Sequence, residues 1–135
     1  MSALKLLLVY ILTLVTFLAI DAVWLGLIAK DMYRRELGHL LAPNVRWGAA
    51  LVFYVIYIAG LLVLVVLPHL RSPLLVVAAL GALFGLVAYA TYDLTNLATL
   101  TRWPLSVTLA DLAWGAFVTG VTAVAGRGYA RWLLP

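Results

Sequence analysis

Cysteine is missing from the 135-residue chain, and its absence removes disulfides, thiolate metal sites and thiol nucleophiles together while leaving the redox compartment open. Charge is nearly missing too. Asp, Glu, Lys and Arg account for 10% of the residues, far less than a soluble domain of this length needs to cover its surface. There is no glycine-rich phosphate loop, so neither a nucleotide nor another cofactor is expected. What fills the chain instead is hydrocarbon: 67% of the residues are hydrophobic and the mean hydropathy is +1.14, which points to lipid as the main solvent. The formal charge of +4 comes mostly from Lys and Arg near the ends of apolar runs, where their stems let the charge reach the headgroups. Membrane lipids are therefore the expected partners, and the basic balance is not taken as nucleic-acid binding.

A helix rises about 1.5 Å per residue and has to cover a hydrocarbon core of about 30 Å, so a crossing needs roughly 20 apolar residues. Four stretches meet that length, at about residues 4–28, 47–67, 73–97 and 104–125. Pro73 and Pro104 stand at the starts of the last two, where a first helical turn accepts proline because its missing N–H would have no intrahelical partner. The first run is longer than the apolar core of a signal peptide and three more follow it, so it is taken as a span. All are continuous rather than alternating, which excludes a transmembrane barrel. The expected fold is all-α, a polytopic bundle of four transmembrane helices with short connections, forming one transmembrane domain over residues 1–135, since no segment between spans is long enough to bury a core.

Residues 30–41, between the first two spans, mix charged and apolar side chains; a short interfacial helix and a solvated loop anchored by arginine and tyrosine both fit. The short connections at 68–72 and 99–103 force neighbouring helices to pack antiparallel. Charge does not decide the orientation, because Lys5, Arg71, Arg127, Arg131 and the N-terminal amine on one side balance Lys30, Arg34, Arg35, Arg46 and Arg102 on the other, and the positive-inside rule needs an asymmetry. The slight preference is for Arg34 and Arg35 in the cytoplasm, and the balance also permits insertion both ways.

Ionisable residues inside a span cost a few kcal/mol, so they normally face the bundle interior and have a partner or a task. Asp21, Asp93 and Asp111 are the three found here. Spans one and three end on the membrane side where span four begins, which brings all three carboxyls to roughly 6–10 Å below the same face. Helical spacing supplies neighbours: Tyr89, Tyr92, Asp93 and Asn96 share one side of the third span with Gly81 and Gly85, while Asp111, Gly115, Thr119 and Thr122 align on the fourth. Trp47, Ala50, Tyr54 and Tyr57 offer a further wall on the second. The expectation is a polar pocket open towards Arg34, Arg46 and Arg102. The small-xxx-small pair Gly81/Gly85 also suits close helix approach, including that of a second copy in a homodimer.

Carboxyls gathered in a low dielectric repel one another, so at least one of them is expected to hold a proton near neutrality. Asp21, Asp93 and Asp111 are thus candidates for acid/base or proton-carrying groups. Asn96, Tyr92, Tyr89, Tyr54, Trp24 and Trp114 are candidates for ligand binding, the two tryptophans because each follows an aspartate by three residues; Trp47, Trp103 and Trp132 fall at span ends, where aromatic belts occur anyway. Carboxylate and amide oxygens would suit Mg²⁺, Ca²⁺ or Na⁺, but no histidine lies in a span and no metal site is expected. Ser106 and Thr108 have no histidine to activate them. An echo, Asp21-x-x-Trp24-x-Gly26 against Asp111-x-x-Trp114-Gly115, has the opposed directions of an inverted repeat but few matched letters.

The chain resembles a widespread bacterial family of small predicted membrane proteins of unknown function. The resemblance rests on residues 21–26 (Asp-Ala-Val-Trp-Leu-Gly) with Tyr33, on residues 92–98 (Tyr-Asp-Leu-Thr-Asn-Leu-Ala) with Trp103-Pro104, and on residues 111–115 (Asp-Leu-Ala-Trp-Gly). It implies a multi-pass protein of the bacterial inner membrane. Genes of that family often sit near enzymes that modify fatty acyl chains, which implies a role with lipids. The leading expectation is therefore a protein whose pocket binds or modifies the polar end of a lipid-like amphiphile. The alternatives are a small proton-coupled transporter working as a dimer, and a non-enzymatic membrane subunit whose polar residues hold helices together.

Overall fold

A computed structural model describes residues 2–134. Among them there is no strand, and four helices are long and apolar enough to cross a membrane. Helix α1 (Ala3–Val23) continues through a wide turn, Trp24–Ile28, where the Ala29 N–H reaches back to the Trp24 carbonyl at 2.7 Å. A short helix α2 (Lys30–Leu37) follows, so of the two forms open for this stretch the chain adopts the helix. Helix α3 (Trp47–Leu61) runs on through a second wide turn, Leu62–Val66, and a tight one, Leu67–His69. Helices α4 (Leu74–Thr99) and α5 (Leu105–Leu133) complete the bundle.

Helix α5 runs past the end expected near residue 125, and the reason is visible in its last turns. Arg127 donates to the Ser72 carbonyl at 3.0 Å, the Tyr129 hydroxyl meets that of Thr16 at 2.7 Å, and Ala130 is fully buried. Neither the charge nor the flanking glycines break a helix whose backbone bonds can be satisfied nowhere else in lipid.

Helix α5 is also the hub of the bundle. Half of its most apolar stretch is buried, against 17–33% for the other spans, and its broadest contacts are with α4 and α1. The α4–α5 contact requires glycine. A Cβ on Gly81 would stand 2.6 Å from that of Ala123, and one on Gly85 would collide with the Gly115 carbonyl and Thr119. The Gly81/Gly85 face, expected to suit a second copy, is therefore occupied by α5 of the same chain.

Helix α3 joins through its far half. Tyr57, Ile58, Leu61, Leu62, Val65 and Val66 are buried in the main core, whereas residues 47–56 are exposed apart from Ala50 and Tyr54, which are half-buried. Two hydrogen bonds, from Tyr10 Oη to the Val55 carbonyl and from Tyr54 Oη to Asp21, each at 2.8 Å, tie this outer half to α1. At the same end of the molecule, α2 folds onto α5: Leu37 packs with Trp103 and Val107 in a second small core. The near half of α3 is thus splayed from the bundle, and that splay leaves a space.

Glycine contacts give a direct test of the packing. Gly85→Ala should cost on the order of 1–3 kcal/mol by forcing α4 and α5 apart, whereas Gly48→Ala, with nothing within 4 Å of the new Cβ, should be neutral or slightly stabilising. Reversible unfolding in mixed micelles measures both, and equal effects would contradict the α4–α5 contact.

Candidate functional site

The space left by α3 is a cavity of about 520 Å³ to which every helix contributes. Asp21, Trp24 and Leu25 come from α1 and its wide turn, Tyr33 from α2, Phe53 and Tyr54 from α3, Ala88, Tyr89 and Tyr92 from α4, and Asp111 and Trp114 from α5. Its volume lies in the range of small-molecule sites, about 300–1,000 Å³. Phe53 and Tyr92, 46% and 58% exposed, stand at its rim. The opening is consequently lateral, between α3 and α4, on a surface that faces lipid.

Within the cavity two motifs meet and cross. Asp21 accepts from the Tyr54 hydroxyl at 2.8 Å and from the Trp114 indole at 3.1 Å. The Trp24 indole donates to the Tyr33 hydroxyl at 2.9 Å, and that hydroxyl donates in turn to Asp111. Between them the two indoles stack, with centroids 4.6 Å apart and planes within 7°. The echoed Asp-x-x-Trp segments of α1 and α5 are therefore face to face, each tryptophan serving the carboxylate of the other, directly in one case and through Tyr33 in the second. A wide helical turn of this kind often marks a functional position, and here it starts at Trp24.

Asp93 lies behind the cavity wall. It is fully buried, its carboxyl adjoins that of Asp111, and neither of its oxygens has a hydrogen-bond partner among the described residues. Two ionised carboxylates offer only acceptors to each other, so a hydrogen bond between them needs a proton on one. The described residues contain one ion pair, Arg35 with Glu36 at 3.2 Å on the exposed side of α2. None of the three membrane aspartates is among its members: Asp21 and Asp111 are met by neutral donors, and Asp93 by none among the described residues. No group of three metal-ligating His, Asp or Glu side chains occurs among the described residues.

The structure thus brings Asp21, Trp24, Tyr54, Tyr89, Tyr92, Asp111 and Trp114 to one cavity. Asn96 is half-buried one turn beyond Asp93 and does not line it. Trp47, expected on the wall of α3, is 68% exposed at its outer end. Tyr57 and Thr119 bond to each other at 2.8 Å within the core rather than in the pocket. Arg34, Arg46 and Arg102 do not face the opening either; α2 covers that end, with Tyr33 inside. Leu25, Tyr33, Phe53 and Ala88 are the wall residues that spacing within spans did not single out. Tyr33 shares a helix face with Leu37, and that pairing is the signal of the buried side of an interfacial helix.

Residues 6–127 match the family described as "Predicted membrane protein (DUF2177)". The chain belongs to this family. The match spans all four membrane helices and takes in every residue of the cavity. No curated protein and no solved structure matches the chain. Family membership therefore carries a multi-pass membrane protein of unknown function, and the chemistry has to come from the site.

Tyr33 lies outside the membrane spans and is open to titration. Burial first, and its bond to Asp111 next, hold the phenol above its ordinary value of 10.0. A pKa raised on folding means that the contribution to stability is complete below the ordinary value and is lost as pH climbs above it. Stability should therefore decline above pH about 10, and less steeply in Tyr33→Phe, which itself should cost about 1–3 kcal/mol at neutral pH by orphaning the Asp111 and Trp24 groups. Unfolding midpoints across alkaline pH decide it; identical slopes in both proteins would show that Tyr33 is not the group concerned.

Proposed function

We propose that this chain binds the polar end of a lipid-like amphiphile that enters sideways from the bilayer of a bacterial inner membrane. The observation that carries this reading is the lateral cavity itself. It puts Asp21 and Asp111 behind a rim of lipid-facing aromatics, an arrangement that serves a molecule with one polar end already dissolved in the membrane. Asp21 and Asp111 act as the head-group partners, Trp24, Trp114, Tyr54, Tyr89 and Tyr92 as the walls. A carboxylate bound by one donor per oxygen keeps lone pairs free for a ligand, and Asp21 has one donor on each. Asp93 behind Asp111 extends the set, so proton transfer to or from the bound head group lies within the chemistry of the site.

A second reading, a proton-coupled exporter working as a dimer, draws on the same Asp93–Asp111 pair. Buried carboxyls without a cationic partner are what proton relays are made of, and this pair abuts the cavity. In that case Asp111 would exchange its proton against the amphiphile, and adding substrate to proteoliposomes would release protons.

Native mass spectrometry of the detergent-purified protein beside Asp21→Asn and Asn96→Ala tests the cavity as the binding place, and proton release from proteoliposomes separates the two readings. A lipid-like species retained by the wild type and by Asn96→Ala but lost from Asp21→Asn is the expected result. Retention that ignores the Asp21 change would overturn the cavity as the binding place.

A further inference from the structure

The head group and the tail of the ligand are both specified by the walls. No Lys, Arg or His lines the cavity, while two carboxylates and seven aromatic rings do. The tyrosine hydroxyls on Asp21 and Asp111 already donate to them. An anionic head would face like charge without a free cation, and a zwitterion would leave its phosphate or carboxylate to the Tyr89 and Tyr92 hydroxyls with no cationic partner. A bare metal ion is too small for about 520 Å³ and finds no group of three ligands among the described residues. Carboxylates with electron-rich ring faces around a space of this size suit an organic ammonium, which gains from both.

The tail has its own furrow. A second, wholly apolar groove of about 330 Å³ is lined by Val65, Leu80, Leu83, Phe84, Val87 and Ala88. Ala88 belongs to both, so the groove begins where the cavity ends. From Ala88 down to Leu80 it follows α4 for roughly 12 Å at the helical rise of about 1.5 Å per residue, towards the opposite membrane face. It lies between Val65 after α3 and two adjacent rows of α4 side chains, Leu80/Phe84/Ala88 and Leu83/Val87, a space of a size for one alkyl chain. Its floor is lined by the same small residue that closes the cage, and a larger side chain there would separate the two.

We infer that the amphiphile is a single-chain, long-chain amine, its ammonium held between Asp21, Asp111 and the surrounding aromatic rings and its chain laid in the groove that starts at Ala88. The inference rests on the function proposed above and names its ligand class. Specificity then has two independent parts, charge at the cage and length along α4.

The probes are dodecyltrimethylammonium, hexyltrimethylammonium and dodecyl sulfate, offered to the intact protein in a neutral detergent and counted by native mass spectrometry. One dodecyltrimethylammonium per chain is expected, favoured by about tenfold over dodecyl sulfate. Phe53→Ala, at the exposed rim and outside the core, should weaken both ammonium probes several-fold. Leu80→Trp and Leu83→Trp, which line the groove but not the cavity, should erase the preference for the dodecyl over the hexyl chain while leaving the hexyl probe bound. Equal uptake of dodecyl sulfate would overturn the head-group assignment, and a chain-length preference surviving in both tryptophan variants would overturn the groove. Uptake of no probe at all would instead count against amphiphile binding as such, which keeps the two levels of the proposal apart.

Discussion

A carboxylate at membrane depth is tolerable only where donors or protons meet it, and this bundle has to satisfy three with no cation in reach. Asp21 and Asp111 obtain their donors from three other elements: Tyr54 of α3 and Trp114 of α5 for the first, Tyr33 of α2 for the second. That requirement explains why α2 is a helix folded against the membrane end of α5 rather than a loop in water. It also explains why α3, which otherwise leaves the bundle over its first ten residues, still turns Tyr54 inward. Remove the carboxylates, and the charged helix α2 would keep chiefly the Leu37 contact with Trp103 and Val107, while little in the apolar near half of α3 would fix its position.

Glycine supplies the other constraint, because hydrocarbon side chains gain nothing by leaving lipid for one another and only close contact holds helices together. Gly81, Gly85 and Gly115 let α4 and α5 touch backbone to side chain along one line. Asp93 and Asp111 continue that same line, which is why two groups that repel when ionised end up adjacent. The tightest packing in the molecule thereby dictates the least comfortable contact, which the Tyr33 hydroxyl relieves on the Asp111 side only. The wide turn at Trp24–Ile28 works similarly: it swings the chain out of the first span so that Trp24 stacks on Trp114 while Tyr33 returns over Asp111.

Much of this was legible from residue counting. Length and hydropathy alone delimit four crossings, since lipid leaves the backbone no alternative to helix. The depth of Asp21, Asp93 and Asp111 follows from their distances to the span ends, and a helical repeat puts Tyr89 near Asp93. Tertiary choices were not legible. Gly81/Gly85 could serve an inner helix or a second copy, and nothing in the α4 sequence distinguishes them; the matching Gly115 and Thr119 of α5 decide it. Trp47 and Tyr54 lie on one face of α3, yet only Tyr54 reaches the cavity, because the helix splays and carries its outer end away. Asn96 shares the polar side of α4 but sits a turn too far on. Tyr33 lay in a segment for which both a helix and a loop fitted, where the Tyr33/Leu37 spacing marks a helix face but the contacts of that face with Trp103 and Val107 come only from the tertiary structure.

The splay of α3 is what separates a structural role for these polar groups from a binding one. Helices glued by hydrogen bonds close upon them, as Tyr57 and Thr119 do in the core. Around Asp21 and Asp111 the bonds are made, but the helices do not close; Phe53 and Tyr92 are left facing lipid across a gap that the hydrophobic sequence had ample side chains to fill. Keeping such a gap forfeits the dispersion contacts that a filled interior would have made, and the proposed occupant would restore them. An amphiphile satisfies both deficits at once, since its cationic end meets the carboxylates and its body supplies the missing contacts. A proton alone meets only the first. On the proposed reading, proton exchange by the Asp93–Asp111 pair would be a consequence of ligand entry rather than a rival to it, since a cation arriving at Asp111 favours the ionised form of a neighbouring carboxyl.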